Sequence, residues 1–102
     1  MSSSVREFRE SPWEQGIDEE RYYTLDTAPW GGSPASVEVA LFDGDYDDVT
    51  AEKLSGSAVV GGDTITTPMV RGLAAGSTYR LEIKFVVDGR TEEAYGYIYC
   101  AR

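Results

Sequence analysis

Four aspartates fall within six residues in the stretch FDGDYDDVT: Asp43, Asp45, Asp47 and Asp48. Carboxylate oxygens at alternate positions are how calcium-binding loops begin. The rest of such a loop is missing. Gly44 follows the first aspartate directly instead of occupying the sixth position, and the twelfth position holds Leu54 where a bidentate glutamate belongs. The stretch therefore reads as a solvated acidic hairpin tip, a placement of charge that discourages edge-to-edge association. Adjacent carboxylates recur at Glu19-Glu20 and Glu92-Glu93. General acid–base pairs need a pocket that drives their pKa values apart. Neither pair has the apolar company to build one, and each is expected at a solvated strand end.

Histidine is absent and cysteine occurs once, at Cys100. These counts exclude Ser-His-Asp and Cys-His nucleophilic sites, the usual zinc sites and any internal disulfide. Cys100 is expected as a small buried hydrophobe. Gly61-Gly62 has neither the following helix nor the lysine of a phosphate loop. The expectation is a chain with no catalytic residue, no cofactor and no metal.

What remains is aromatic. Tyr95, Tyr97 and Tyr99 alternate with Ala94, Gly96, Ile98 and Cys100. If Ile98 and Cys100 face a core, the tyrosines form an outer stripe, well suited to an interface. If the tyrosines face inward, Ala94 and Gly96 leave a flat outer surface. Composition favours the outward stripe. Trp30 lies in the loop TAPWGGSP, where Ala28-Pro29 sets an extended approach and Gly31-Gly32 permits a tight turn. That geometry folds Trp30 back as a lid on a core. Trp13, together with Phe8 and Ile17 in an unpatterned acidic stretch, is the better candidate for contact with a partner.

The elements that must carry these residues are strands. In TYRLEIKFVV, Tyr79, Leu81, Ile83, Phe85 and Val87 share one face, with Arg80, Glu82 and Lys84 on the other. Period-2 alternation of this kind marks a strand with one buried face. Asp88-Gly89 supplies the residues of a tight hairpin, and a return strand runs from Thr91 to Cys100. Further strands are expected at 21–26, at 36–42 and in a second hairpin, 57–60 with 64–67, which Pro68 should end. A short edge strand at 7–9 is also allowed by the pattern. No helical window competes, and 49–54 reads as a turn or a short strand.

The chain is 102 residues long with a formal net charge of −9. Positions 1–51 hold 12 acidic against 3 basic residues, and positions 52–102 hold 6 of each. Such a balance disfavours phosphate backbones and anionic membranes as direct partners. The first residues carry no apolar secretory core, and no apolar run is long enough to span a bilayer. The reading is a protein made and kept in a cytoplasm. Six or seven short strands with regular turns argue for an antiparallel β-sandwich over 21–102, preceded by an extended acidic arm over 1–20.

Leu73, Gly76 and Tyr79 in GLAAGSTY follow the L-x-x-G-x-x-Y spacing of the tyrosine corner in immunoglobulin-like sandwiches. Gly76 would let the chain change sheets, and the Tyr79 hydroxyl would return to a backbone group upstream. From Thr64 to Cys100 the chain resembles the later strands of a fibronectin type III domain. Over about residues 7–100, the segments FRESPWEQG, YTLDTAPWGGSP, LSGSAVVGGDTITTP and GLAAGSTYRLEIKF resemble small immunoglobulin-like virion proteins of tailed bacteriophages, of the fibre–tail adaptor and head–tail structural type. This resemblance implies a non-enzymatic role in a virion, with other virion proteins of the capsid, neck, tail or fibre as partners in a symmetric assembly. It also implies synthesis in the host cytoplasm. The contacts expected are strand edges, the face of Tyr95, Tyr97 and Tyr99, and the arm with Phe8, Trp13 and Ile17. A carbohydrate-binding or surface-adhesion module is the alternative that the aromatic residues leave open.

Overall fold

The computed structural model describes residues 6–8 and 11–101. Along the chain run β1 (Arg6–Glu7), β2 (Trp13–Glu14), β3 (Thr24–Asp26), a 3-10 turn (Ala28–Trp30) and β4 (Ala35–Phe42). One helical turn, α1 (Thr50–Lys53), leads into β5 (Leu54–Ser55), β6 (Val59–Gly61), β7 (Thr64–Thr66) and β8 (Met69–Val70). The chain then closes with β9 (Ser77–Val87) and β10 (Arg90–Cys100). The protein is an all-β molecule with little helix.

The hairpin β9–β10 dominates. It pairs without interruption from Ser77↔Cys100 to Val87↔Arg90, and Asp88 and Gly89 take positive φ of 53° and 76° at its tip. Two successive left-handed residues give the loop a twist that matches the strands it joins. β4 adds antiparallel to β9, with an irregularity between Ala35 and Glu38. On the far side of β10 lie β1 and β2, both parallel to it. The sheet order is thus β1 and β2, then β10, β9 and β4. A second, three-stranded sheet runs β3–β7–β6, and β5 pairs with β8.

The core is made where these sheets meet. Leu41, Leu81, Ile83, Phe85 and Ile98 from the first sheet join Leu25 and Ile65 from the second, all essentially without exposure. Burying a side chain of this size contributes about 1.5–3 kcal/mol. The tyrosine corner closes one end of that core. The backbone N–H of Ala74 donates to the Tyr79 hydroxyl at 2.9 Å. Leu73 is buried beside it, and Gly76 turns the chain at φ 80°. Residues 49–54, expected as a turn or short strand, are the helical turn α1 and the start of β5.

Residues 1–20 are expected as an arm apart from the sandwich, and the described part of this segment is arranged differently. Phe8 is 3% exposed, and its N–H donates to the Tyr95 carbonyl at 2.6 Å. Trp13 packs edge-on to Phe8 and lies 4.5 Å from the Tyr23 ring. It also lies over Gly96, where an added Cβ would come within 2.6 Å of it. Gln15, 1% exposed, accepts from the Tyr23 hydroxyl at 2.7 Å and donates to the carbonyls of Val70 and Glu19 at 2.8 and 2.9 Å. The segment is a pair of two-residue strands stitched to the edge of β10. Strands this short show no period, so alternation has nothing to reveal.

Candidate functional site

The alternation of β10 is resolved by its register against β9. Ala94, Gly96, Ile98 and Cys100 face the core, and Tyr95, Tyr97 and Tyr99 face out, with Tyr99 42% exposed. The tyrosines share this outer face with the outward residues of β9, because cross-strand partners lie on the same side of a sheet. Tyr97 is directly opposite Arg80, and Tyr95 is directly opposite Glu82.

Arg80 is the organising side chain. Its guanidinium carbon sits 4.0 Å from the centre of the Tyr95 ring and 5.7 Å from that of Tyr97. Its Nη1 donates to the Tyr97 hydroxyl at 3.0 Å, and its Nε donates to Glu82 Oε2 at 2.7 Å. The same carboxylate oxygen accepts the Tyr46 hydroxyl at 2.8 Å, and the Tyr46 ring stacks on Phe42 at 4.7 Å. The Tyr95 and Tyr97 rings meet edge to face at 5.8 Å. Six side chains from β4, the following turn, β9 and β10 are thereby held in one network.

Electrostatics keep it intact. Partial burial works against the Arg80 charge, but the Glu82 carboxylate and the Tyr97 hydroxyl outweigh it and raise the guanidinium above its ordinary pKa. The hydrogen bond to Glu82 likewise raises the Tyr46 phenol. A cation over aromatic faces adds about 0.5–2 kcal/mol. Lys84, farther along, stands in register with Glu38 on one side and Glu93 on the other. Charges on this face are therefore largely matched within it, and its rings are held in place by contacts within the chain. That order lowers the entropy cost of binding, since side chains already immobilised have little left to lose. Arg80, Glu82, Phe42 and Tyr46 were not candidates on sequence. Each is unremarkable until the register brings it beside the tyrosines.

The other candidates lie apart from this face. Trp30 closes the end of the core, edge-on to Phe85 at 5.3 Å. Its turn is fastened to the β6–β7 hairpin through Thr27, whose N–H and hydroxyl both donate to the Asp63 carbonyl. Phe8 and Trp13 belong to the inner face, whereas Ile17 is 43% exposed. Ile17 borders an open depression of about 330 Å³ with Asp18, Glu19, Glu20, Glu52 and Arg71. Glu92 and Glu93 fall on opposite sides of β10, so they form no pair. Glu92, expected at a solvated strand end, is 6% exposed and meets Arg90 at 3.2 Å. The alternation of the strand carries it inward.

Asp43, Asp45 and Asp47 bring one carboxylate oxygen each within 4.8 Å of one another, and these are the residues that could hold a cation. Their spacing also has a purely local use. Asp43 Oδ1 accepts the N–H groups of Asp45 and Asp47, each at 2.9 Å, and so builds the turn. Asp48 accepts from Thr50, whose hydrogen bonds hold its carboxyl below the ordinary range. No helix among the described residues is long and apolar enough to cross a membrane. In comparisons with protein-family models, curated proteins and solved structures, the chain matches none of them.

Proposed function

We propose that this chain is a non-enzymatic structural or adaptor protein of a tailed-phage virion, built as an immunoglobulin-like sandwich. It would dock on neighbouring virion proteins through the outer face of β9 and β10. Support for the fold reading comes from the strand order: β1 and β2 on β10, then β9 and β4, face β3–β7–β6, with Tyr79 bonded at the corner to Ala74. The virion reading rests on the resemblance of the segments quoted above.

The observation that carries the functional reading is the Arg80 network. Tyrosine and arginine dominate the energetics of protein interfaces, and here they are pre-arranged on a sheet face whose charges are matched internally. Binding by shape alone needs such a surface, and repeated contacts around a symmetric ring multiply weak affinities. Changing Tyr97 to serine and Arg80 to alanine together should leave the protein folded but absent from purified particles. Incorporation at the parental level would refute the assignment of this face.

A carbohydrate-binding reading has one observation in its favour. Asp43, Tyr46, Thr78, Arg80 and Tyr97 line an open groove of about 290 Å³, where rings and polar groups stand together. Titration with a panel of oligosaccharides, read by tyrosine and tryptophan fluorescence, separates the two. No response removes the carbohydrate reading.

A further inference from the structure

We infer that the groove between Tyr46 and Tyr97 receives an extended segment of the partner protein that carries proline and a basic residue. This rests on the docking reading above and names the chemistry of what docks. Tyr46 and Tyr97 line the open groove of about 290 Å³ beside the Arg80 network, together with Asp43 and Thr78. Both phenol hydroxyls are engaged within the chain: Tyr46 donates to Glu82, and Tyr97 accepts from Arg80. What the two rings offer to the groove is therefore mainly apolar surface.

Tyr46 is held there against the preference of its backbone. Its φ is 63°, in the left-handed region that bulky side chains seldom enter. The turn under it is fixed by Asp43, whose Oδ1 accepts the N–H groups of Asp45 and Asp47 and whose carbonyl accepts that of Tyr46. One face of the ring rests on Phe42, yet the residue stays 61% exposed. Backbone outliers of this kind persist where surrounding contacts over-determine them, and they concentrate at binding sites. A groove walled by aromatic rings suits proline. The pyrrolidine ring is apolar and brings no side-chain donor to leave unsatisfied. A proline-rich segment is also extended before it binds, so docking removes little of its freedom.

Charge restricts the choice further. At Asp43, Gly44, Thr78 and Tyr79 the groove runs on into a wider depression of about 660 Å³, which adds Asp45, Glu52 and Lys53. Lys53 donates to the Gly72 carbonyl. Asp43, Asp45 and Glu52 take part in no ion pair among the described residues, whereas on the tyrosine face Glu82 is answered by Arg80. These unmatched carboxylates, on a chain of net charge −9, attract a cation and repel an acidic segment. The rings alone would admit any proline-bearing segment; the carboxylates select one with lysine or arginine close to the proline.

NMR titration of the full chain with a synthetic peptide of alternating proline and lysine tests this. The expected result is a saturable shift of the Gly44, Tyr46, Thr78 and Arg80 amides. Replacing every lysine with glutamate, or every proline with glycine, should weaken binding by about tenfold or more. Asp45→Asn combined with Glu52→Gln should weaken the lysine peptide by about tenfold and flatten its salt dependence, with an unchanged circular dichroism spectrum. Tyr46→Gly removes one wall while easing the left-handed backbone, and should abolish saturation. The inference is overturned by an absence of saturable shifts, by shifts confined to another surface such as that of Ile17, or by equal binding of the glutamate peptide. Binding that survives Tyr46→Gly overturns it too, as do shifts of these amides by an oligosaccharide and not by the peptide. The docking reading is judged separately, by incorporation of the Tyr97→Ser and Arg80→Ala double variant into particles. Particles that take up the double variant, while the parent binds the peptide, refute the docking reading alone. Particles that exclude it, while the parent binds no peptide, refute this inference alone.

Discussion

Replacing Gln15 with alanine removes the side chain that fastens the N-terminal strands to the body of the molecule. Gln15 makes three hydrogen bonds, to the Tyr23 hydroxyl, the Val70 carbonyl and the Glu19 carbonyl. The Val70 carbonyl keeps a second donor, the N–H of Arg21 at 3.0 Å. Tyr23, 4% exposed, loses the acceptor of its hydroxyl. An orphaned buried hydroxyl costs about 1–3 kcal/mol, and each of the other two bonds about 1. A total near 3 kcal/mol is expected, a large share of the about 5–15 kcal/mol that holds a domain of this kind together. Tm should fall by about 12 °C or more. Urea unfolding followed by both circular dichroism and tryptophan fluorescence measures this, because Trp13 packs on Tyr23. Tyr23→Phe removes the other half of the bond, and the double variant should show a coupling of about 1–2 kcal/mol. If Gln15→Ala lies within about 0.5 kcal/mol of the parent, the N-terminal strands are not fastened here and the reasoning fails.

Further outcomes follow from the same geometry. Tyr79→Phe breaks the corner bond to Ala74 and should cost about 1 kcal/mol, read from the shift in the urea midpoint. Gly96→Ala places a methyl group within 2.6 Å of Trp13 and should cost about 1–3 kcal/mol. Its tryptophan emission should shift as the indole is displaced. Burial raises the Tyr23 phenol to about 12. Its folded pKa lies above the unfolded value near 10, so its contribution to stability is complete below pH 10 and is lost as pH rises toward 12. An absorbance titration at alkaline pH should show a late-titrating phenol that is lost in Tyr23→Phe. Millimolar calcium should leave Tm unchanged, since the oxygens of Asp43 already shape its own turn; a rise of several degrees would contradict that reading.

How much of this was legible in the sequence depended on length of pattern. The β9–β10 hairpin announces itself because eleven residues of alternation meet an Asp-Gly turn. Trp30 packs edge-on to Phe85, but it arrives there on a 3-10 turn over Ala28–Trp30 and not on the extended approach expected from Ala28-Pro29. A short edge strand is expected at 7–9, beside β1 at Arg6–Glu7. β2 and the parallel pairing of both with β10 were not legible, because each contributes two residues and pairs with the far end of the chain. What holds them is Phe8 in the core, Trp13 over a glycine 83 positions away, and one buried glutamine. The choice of face for Tyr95, Tyr97 and Tyr99 needed the register against β9, as did the meeting of those rings with Arg80. Glu92 reads as polar in isolation, yet strand geometry leaves it facing the core.

The central claim is that the outer face of β9 and β10 binds neighbouring proteins in a virion. The most direct measurement is a density map of purified particles from a phage that encodes this chain. The protein is expected in a symmetric ring, with Arg80, Tyr95 and Tyr97 buried against an adjacent subunit. Particles that lack the protein, or that hold it with this face turned to solvent, would contradict it.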